Sequence, residues 1–169
     1  KEQGFEKMVF PDYVEVFGLD DWDLSIAALE EYTKHVSGEF AIRPFIARYP
    51  EKTLLKMQEW ADHNHPGVRR LASEGCRPRL PWAMVLPHFV KDPLPVLEVL
   101  ELLKDDESMF VRKSVANNLN DISKDHPELA MEKAVEWFGY SDRTNWIVKH
   151  GLRTLLKKGN VRALRLFGF

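Results

Sequence analysis

The chain is 169 residues and 19.7 kDa, the size of one ordinary domain and long enough to bury a core. Its 24 basic and 26 acidic side chains leave a formal charge of −2, against the basic surplus usual in nucleic-acid-binding domains. One cysteine, Cys76, excludes an internal disulfide framework and a multi-cysteine zinc site and suits a reducing compartment, and 44% apolar content excludes a mainly disordered chain. The charge is segregated, however. Residues 1–40 carry ten acids and three bases, a net of −7, and residues 41–169 carry sixteen acids and twenty-one bases, a net of +5. No run approaches the roughly 20 apolar residues of a membrane span. The first residues, KEQGFEKMVF, lack the order of a secretory signal and an initiator Met, which reads as a processed or trimmed chain.

Taken in chain order, the apolar spacing predicts helices throughout. Leu24, Ala27, Ala28 and Tyr32 share a helix face behind Asp23 as N-cap. Ser37-Gly38 breaks the chain, and a second segment runs from Glu39 to Arg48 with Pro44 inside it. Thr53 to His63 carries apolar Leu54, Leu55, Met57 and Trp60. His65-Pro66-Gly67 is a tight connection into a helix over Val68 to Gly75. Pro78, Pro81 and Pro87 make 77–87 an irregular stretch with a short helix at best. Pro95 to Leu103, Ser108 to Lys124, Glu128 to Phe138 and Thr144 to Lys158 read as further helices. Alternating β patterns of useful length are missing, so the expected class is all-α, a single domain over residues 1–169.

Three helices start alike, at Val68-Arg69-Arg70, Val111-Arg112-Lys113 and Val148-Lys149-His150. Separations near 40 residues, with two helices per unit, are HEAT-like spacing. Stacked units would form a curved solenoid, with the basic pairs recurring along one edge of its concave face. The alternative is that basic residues follow helix starts by chance.

The helix from Ser108 carries an apolar stripe of Val111, Val115, Leu119 and Ile122, and a polar stripe of Ser114, Asn117, Asn118 and Asp121. Asn and Asp are poor mid-helix residues because they compete for backbone hydrogen bonds. Two uses suit such a stripe: an inter-repeat hydrogen-bond ladder, or a site in which Asn117 and Asn118 bind substrate. Glu74 lies one to two turns beyond Arg69 and Arg70, as a local ion pair or as part of that site. Trp82, after Pro81, is either an inter-helix plug or a ligand contact. The histidines His63, His65, His88, His126 and His150 form no metal-ligand spacing, and no phosphate loop, nucleophile elbow or dinucleotide fingerprint is present. No metal or organic cofactor is expected, and Cys76 reads as structural.

The runs EFAIRPFI (39–46), VRRLASEGCRPRLPWA (68–83), FVRKSVANNLNDISKD (110–125), WIVKHGLRTLLKKG (146–159) and ALRLFGF (163–169) resemble the AlkC branch of the AlkC/AlkD DNA alkylation-repair glycosylases. The resemblance implies a HEAT-like solenoid gripping double-stranded DNA in its concave face, as a monomer in the cytoplasm of a bacterial-type cell. It implies hydrolytic release of cationic N-alkylated bases, chiefly 3-methyladenine, with 3-methylcytosine and 1-methyladenine in this branch, without flipping the base. Carried over by motif, the site positions fall on Glu39, Glu74, Asp121 and Trp82. Asp121 is expected as the main carboxylate, with Glu74 and Glu39 assisting and the Trp82 face against the cationic nucleotide. No lysine in these motifs is an obvious Schiff-base nucleophile, so the expected enzyme is monofunctional. Phosphate contacts are expected among Arg69, Arg70, Arg112, Lys113, Lys149, Arg153, Lys157 and Lys158. The resemblance also implies a longer N-terminal helical region in full-length relatives, inside which this chain is expected to start, and in some an Ig-like domain, here expected to be either absent by nature or removed. Competing readings are a non-catalytic DNA-structure binder and a HEAT-type protein scaffold, the latter requiring an apolar or acidic groove.

Overall fold

The structure, a computed structural model, describes residues 5–169. After a 3-10 turn at Phe5–Met8 come α1 (Val9–Phe17), α2 (Trp22–Thr33), α3 (Arg43–Arg48), α4 (Pro50–Ala61), α5 (Pro66–Gly75) and α6 (Pro87–Lys91). Then follow α7 (Leu94–Leu103), α8 (Met109–Asp125), α9 (Pro127–Trp137), α10 (Asp142–Gly151), α11 (Arg153–Lys157) and α12 (Val161–Leu166). The described residues contain no strand, so the all-α expectation holds.

Prolines set many helix starts. Each of α3, α4, α5, α6, α7 and α9 has Pro in its first two positions, where the missing N–H goes unneeded. This is why α4 and α5 begin before the first periodic apolar residue. Side-chain caps set others: Ser141 accepts from the Thr144 amide at 3.0 Å and Asn160 from the Ala163 amide at 3.0 Å.

Two expectations are corrected. The α2 cap is Asp21, not Asp23, and the buried positions are Ser25, Ile26, Leu29 and Thr33. Leu24 is 68% exposed. The helix is wedged between α1 and the repeats that follow, so Ile26, Leu29 and Thr33 face inward in place of the Leu24 stripe. The Thr144–Lys158 helix divides at Leu152 into α10 and α11. A Cβ on Gly151 would sit 2.7 Å from Leu119 Cδ2, so glycine lets α10 approach α8 closely where the axis bends.

The helices pair as α4/α5, α7/α8 and α9/α10, and the second members α5, α8 and α10 pack side by side in one layer. Helices α4 and α7 pack against each other in the other layer. This is the HEAT-like arrangement the repeat predicts. Val68, Val111 and Val148 are fully buried between these helices. Trp60 and Trp137 fill the other layer, and each donates its indole N–H at 2.6 Å to a glutamate of the preceding unit, Glu30 and Glu101 respectively.

The basic residues after the repeated valines divide by geometry. Arg69 donates to the His63 and Asn64 carbonyls (3.0 and 3.1 Å) and pairs with Asp106 at 2.6 Å. Arg112 donates to the Asp106 and Glu107 carbonyls (2.8 and 2.7 Å). Both fold back to staple the turn before their own helix. Of the cations expected to meet phosphates, Arg69 commits its guanidinium to turn carbonyls and the Asp106 carboxylate, and Arg112 commits its Nη1 to turn carbonyls. Lysine lacks the fork for this geometry, and Lys149, in the equivalent place, is exposed.

Candidate active site

The turn before α3, helix α5 with the segment after it, and the C-terminal part of α8 bring three carboxylates together with cations. The stripe on α8 faces α5: Ser114 and Asn118 are buried, and Asn118 donates to the Ser73 carbonyl at 2.8 Å. Ser114 Oγ lies 3.0 Å from Ser73 Oγ and donates to Glu74 Oε2 at 2.6 Å. Through its Nδ2, Asn118 is therefore a rung of an inter-repeat ladder, the first of the two uses that suit the stripe. Asn117 is only partly buried and accepts from Arg153 at 2.9 Å.

Asp121 is 2% exposed. Its Oδ2 accepts from Arg77 Nε and Nη2 at 2.8 and 2.7 Å, and its Oδ1 from Lys124 at 2.9 Å. The same Arg77 donates to Glu74 Oε1 at 2.7 Å. Burial opposes the charge on Arg77, but Glu74 and Asp121 outweigh it and raise its pKa. Arg70 lies 3.7 Å from Glu74 and binds Glu39 through both Nη atoms at 3.2 Å. Burial raises the Glu39 pKa, yet the Arg70 charge and hydrogen bonds prevail and hold it below the usual carboxylate range. Arg70 also lies over the Phe110 ring, 4.5 Å from its centroid. Glu39, Glu74 and Asp121 are thus joined through Arg70 and Arg77.

Trp82 is no plug. It is 99% exposed, with φ of +64°, a left-handed conformation that costs a non-glycine residue about 1–3 kcal/mol. The surrounding loop is held from several sides. Arg43, fully buried, donates to the carbonyls of Gly75, Arg77 and Met84 at 2.6–2.9 Å. Desolvation lowers its pKa to about 10, which still leaves it a cation. Arg79 forks onto Asp125 at 2.7 and 3.1 Å. Cys76 is buried beneath this loop, and desolvation pushes its thiol up to about 12, so it is structural and inert.

Four cations expected to face DNA are exposed: Lys113, Lys149, Lys157 and Lys158. Arg153, half-buried, reaches back to Asn117 and the His150 carbonyl. His150 stacks on Trp146, with ring centroids 4.9 Å apart, and burial followed by the Arg153 and Lys113 charges lowers its pKa.

Sequence reasoning missed Arg77, Arg43 and Lys124. Arg43 had a visible signal, a lone cation inside the apolar run AIRPFI. Arg77 and Lys124 each stand three residues after a site carboxylate, Glu74 and Asp121, which puts them on the same helix face or just past its end. The described residues hold no group of three or more metal-ligating side chains suited to an ion, and no helix long and apolar enough to cross a membrane.

A two-layer helical repeat with buried carboxylate–arginine pairs on its inter-repeat seam is the class of molecule defined here. The model of the DNA alkylation repair enzyme family matches residues 32–155, and the chain belongs to that family. Its likeness is to the AlkC branch. It is 53% identical over 167 residues to the uncharacterized protein YhaZ of Bacillus subtilis (strain 168), covering 99% of this chain and 47% of that protein. It superposes with a TM-score of 0.95, at 47% identity, on the Pseudomonas fluorescens alkylpurine DNA glycosylase AlkC bound to DNA containing an abasic site analog. That match covers 99% of this chain and 47% of the other. AlkD2 from Streptococcus mutans gives a TM-score of 0.67 at 25% identity, covering 80% of this chain and 68% of that one. The chain spans about half the length of the first two relatives.

Proposed function

We propose that the chain carries the catalytic face of a monofunctional DNA glycosylase that hydrolyses the N-glycosidic bond of cationic N-alkylated bases, 3-methyladenine foremost, then 3-methylcytosine and 1-methyladenine. The observation that carries this reading is the gathering of Glu39, Glu74 and Asp121 on one seam, each paired with a cation. The solved relative bound to abasic-site DNA supports it.

The chemistry asks little of an acid. An N3- or N1-alkylated base is already positively charged, so when the C1′–N bond breaks, the bond pair neutralises the base as it leaves. Positive charge develops on the sugar, as in glycoside hydrolysis. Asp121 stabilises that charge and accepts the proton of the water that adds to C1′, leaving an abasic site. Glu74 and Glu39 add to the negative field. Trp82, fully exposed on a stapled loop, suits contact with a cationic base still stacked in its duplex, an interaction of roughly 0.5–2 kcal/mol. Lys113, Lys149, Lys157 and Lys158, with Arg153, take the phosphates. A scaffold function would ask for an apolar or acidic face, which these lysines disfavour.

The test is base release from dimethyl-sulfate-treated DNA, resolved by adduct. Release of 3-methyladenine above the spontaneous rate supports the reading. DNA binding with no release favours the DNA-structure binder.

A further inference from the structure

We propose that Arg77 is the positioning residue of this site: its guanidinium fixes Glu74 and Asp121 as a pair and leaves Oδ1 of Asp121 as the oxygen that meets the sugar. This rests on the glycosylase reading above. Arg77 Nη1 lies 2.7 Å from Glu74 Oε1, and Nε and Nη2 lie 2.8 and 2.7 Å from Asp121 Oδ2. The second oxygen of Glu74 accepts from buried Ser114 at 2.6 Å. Three of the four carboxylate oxygens are therefore committed to buried groups. The fourth, Asp121 Oδ1, accepts from Lys124 at 2.9 Å, and Lys124 is exposed. A flexible surface ammonium is the member of this network that a DNA phosphate can draw away, which uncovers Oδ1 toward the duplex.

Two buried carboxylates with no cation between them repel and compete for one proton. The other cations near them do not take this place. Arg70 serves Glu39 first, Arg79 serves Asp125, Arg153 serves Asn117 and the His150 carbonyl, and Arg43 spends its donors on backbone carbonyls. Among the described residues, only the planar fork of Arg77 aims at both carboxylates at once; a lysine in its place offers one charged point. Arg77 is itself anchored: its carbonyl accepts from Arg43 at 2.9 Å, and its side chain is buried, out of reach of a phosphate.

The experiment compares Arg77→Met and Arg77→Lys with the wild-type chain. It measures single-turnover release of 3-methyladenine, binding to DNA holding an abasic-site analog across salt concentrations, and urea midpoints. The expected result is a maximal rate lowered by about 100-fold in Arg77→Met and by an intermediate factor in Arg77→Lys, with half-saturating concentration and salt slope unchanged. A wild-type maximal rate in Arg77→Met, or a loss confined to half-saturation with a shallower salt slope, overturns the proposal. If Arg77→Met does not fold, Arg77→Lys decides: an intermediate rate at unchanged half-saturation supports the clamp, and a wild-type rate overturns it. A wild-type chain that releases no base overturns the glycosylase reading and the role of Arg77 with it, whereas the variant comparisons bear on Arg77 alone.

Discussion

The charged groups Arg77, Glu74 and Asp121 at the α5–α8 seam are buried, each with a partner suited to its geometry. Arginine forks bridge acceptors on separate elements: Arg77 between Glu74 and Asp121, Arg43 between three carbonyls, Arg69 between a turn and Asp106. Glu39 shows how such pairing appears in stability. Its pKa is depressed because Arg70 outweighs burial. The pair therefore stabilises the fold fully above the unfolded carboxyl pKa of about 4.3, and this contribution is lost as pH falls through the lower folded value. Urea midpoints followed between pH 7 and pH 3 should fall less steeply in Glu39→Gln than in wild type. Parallel pH profiles for the two would show that Arg70 gives Glu39 no such stabilisation.

The helices themselves were largely legible in the sequence, because apolar periodicity survives wherever a helix has one buried side. Helices α5, α7, α8 and α9 lie within a few residues of the expected spans, and α8 keeps both of its stripes. Registers failed where packing from two directions overrides the pattern, as in α2, whose Leu24 faces out. The Leu152 break was hidden because Gly151 looks like any mid-helix glycine until Leu119 is placed against it. Gly151→Ala is expected to cost about 1–3 kcal/mol through overpacking against Leu119, read as a lower urea midpoint. An unchanged midpoint would mean that Leu119 moves aside at no cost. At the candidate site, the carboxylates were found by motif. Arg77 and Arg43 were not: the Arg77–Glu74 pair is local, but the bond from Arg77 to Asp121 and those from Arg43 to the Gly75 and Arg77 carbonyls join residues 32 to 44 positions apart that only the stacked repeat brings together.

Over the whole molecule, the −2 total conceals two sides. Among the acids of the first 40 residues, Asp20 pairs with Arg48, Asp23 with Lys52, Glu30 with Lys56 and Glu31 with Lys34, around α2, α3 and α4. Glu39 pairs instead with Arg70 of α5. The exposed lysines Lys113, Lys149, Lys157 and Lys158 lie on or just beyond α8, α10 and α11, the opposite end of the chain from that acidic group. DNA affinity should fall steeply with salt. Replacing any one of these lysines by alanine should lower the slope of log K against log salt by about one, whereas Arg69→Ala should lower stability and leave the slope in place. A slope untouched by the lysines would place the DNA elsewhere.

The most direct test of the account is release of 3-methyladenine from methylated duplex DNA by wild type and Asp121→Asn, with DNA binding and urea midpoint measured on the same samples. A rate at least roughly 100-fold lower in the variant, with binding retained and the fold intact, is the predicted result. Equal release by both proteins would contradict it, because the carboxylate at the centre of the seam would then take no part in breaking the bond.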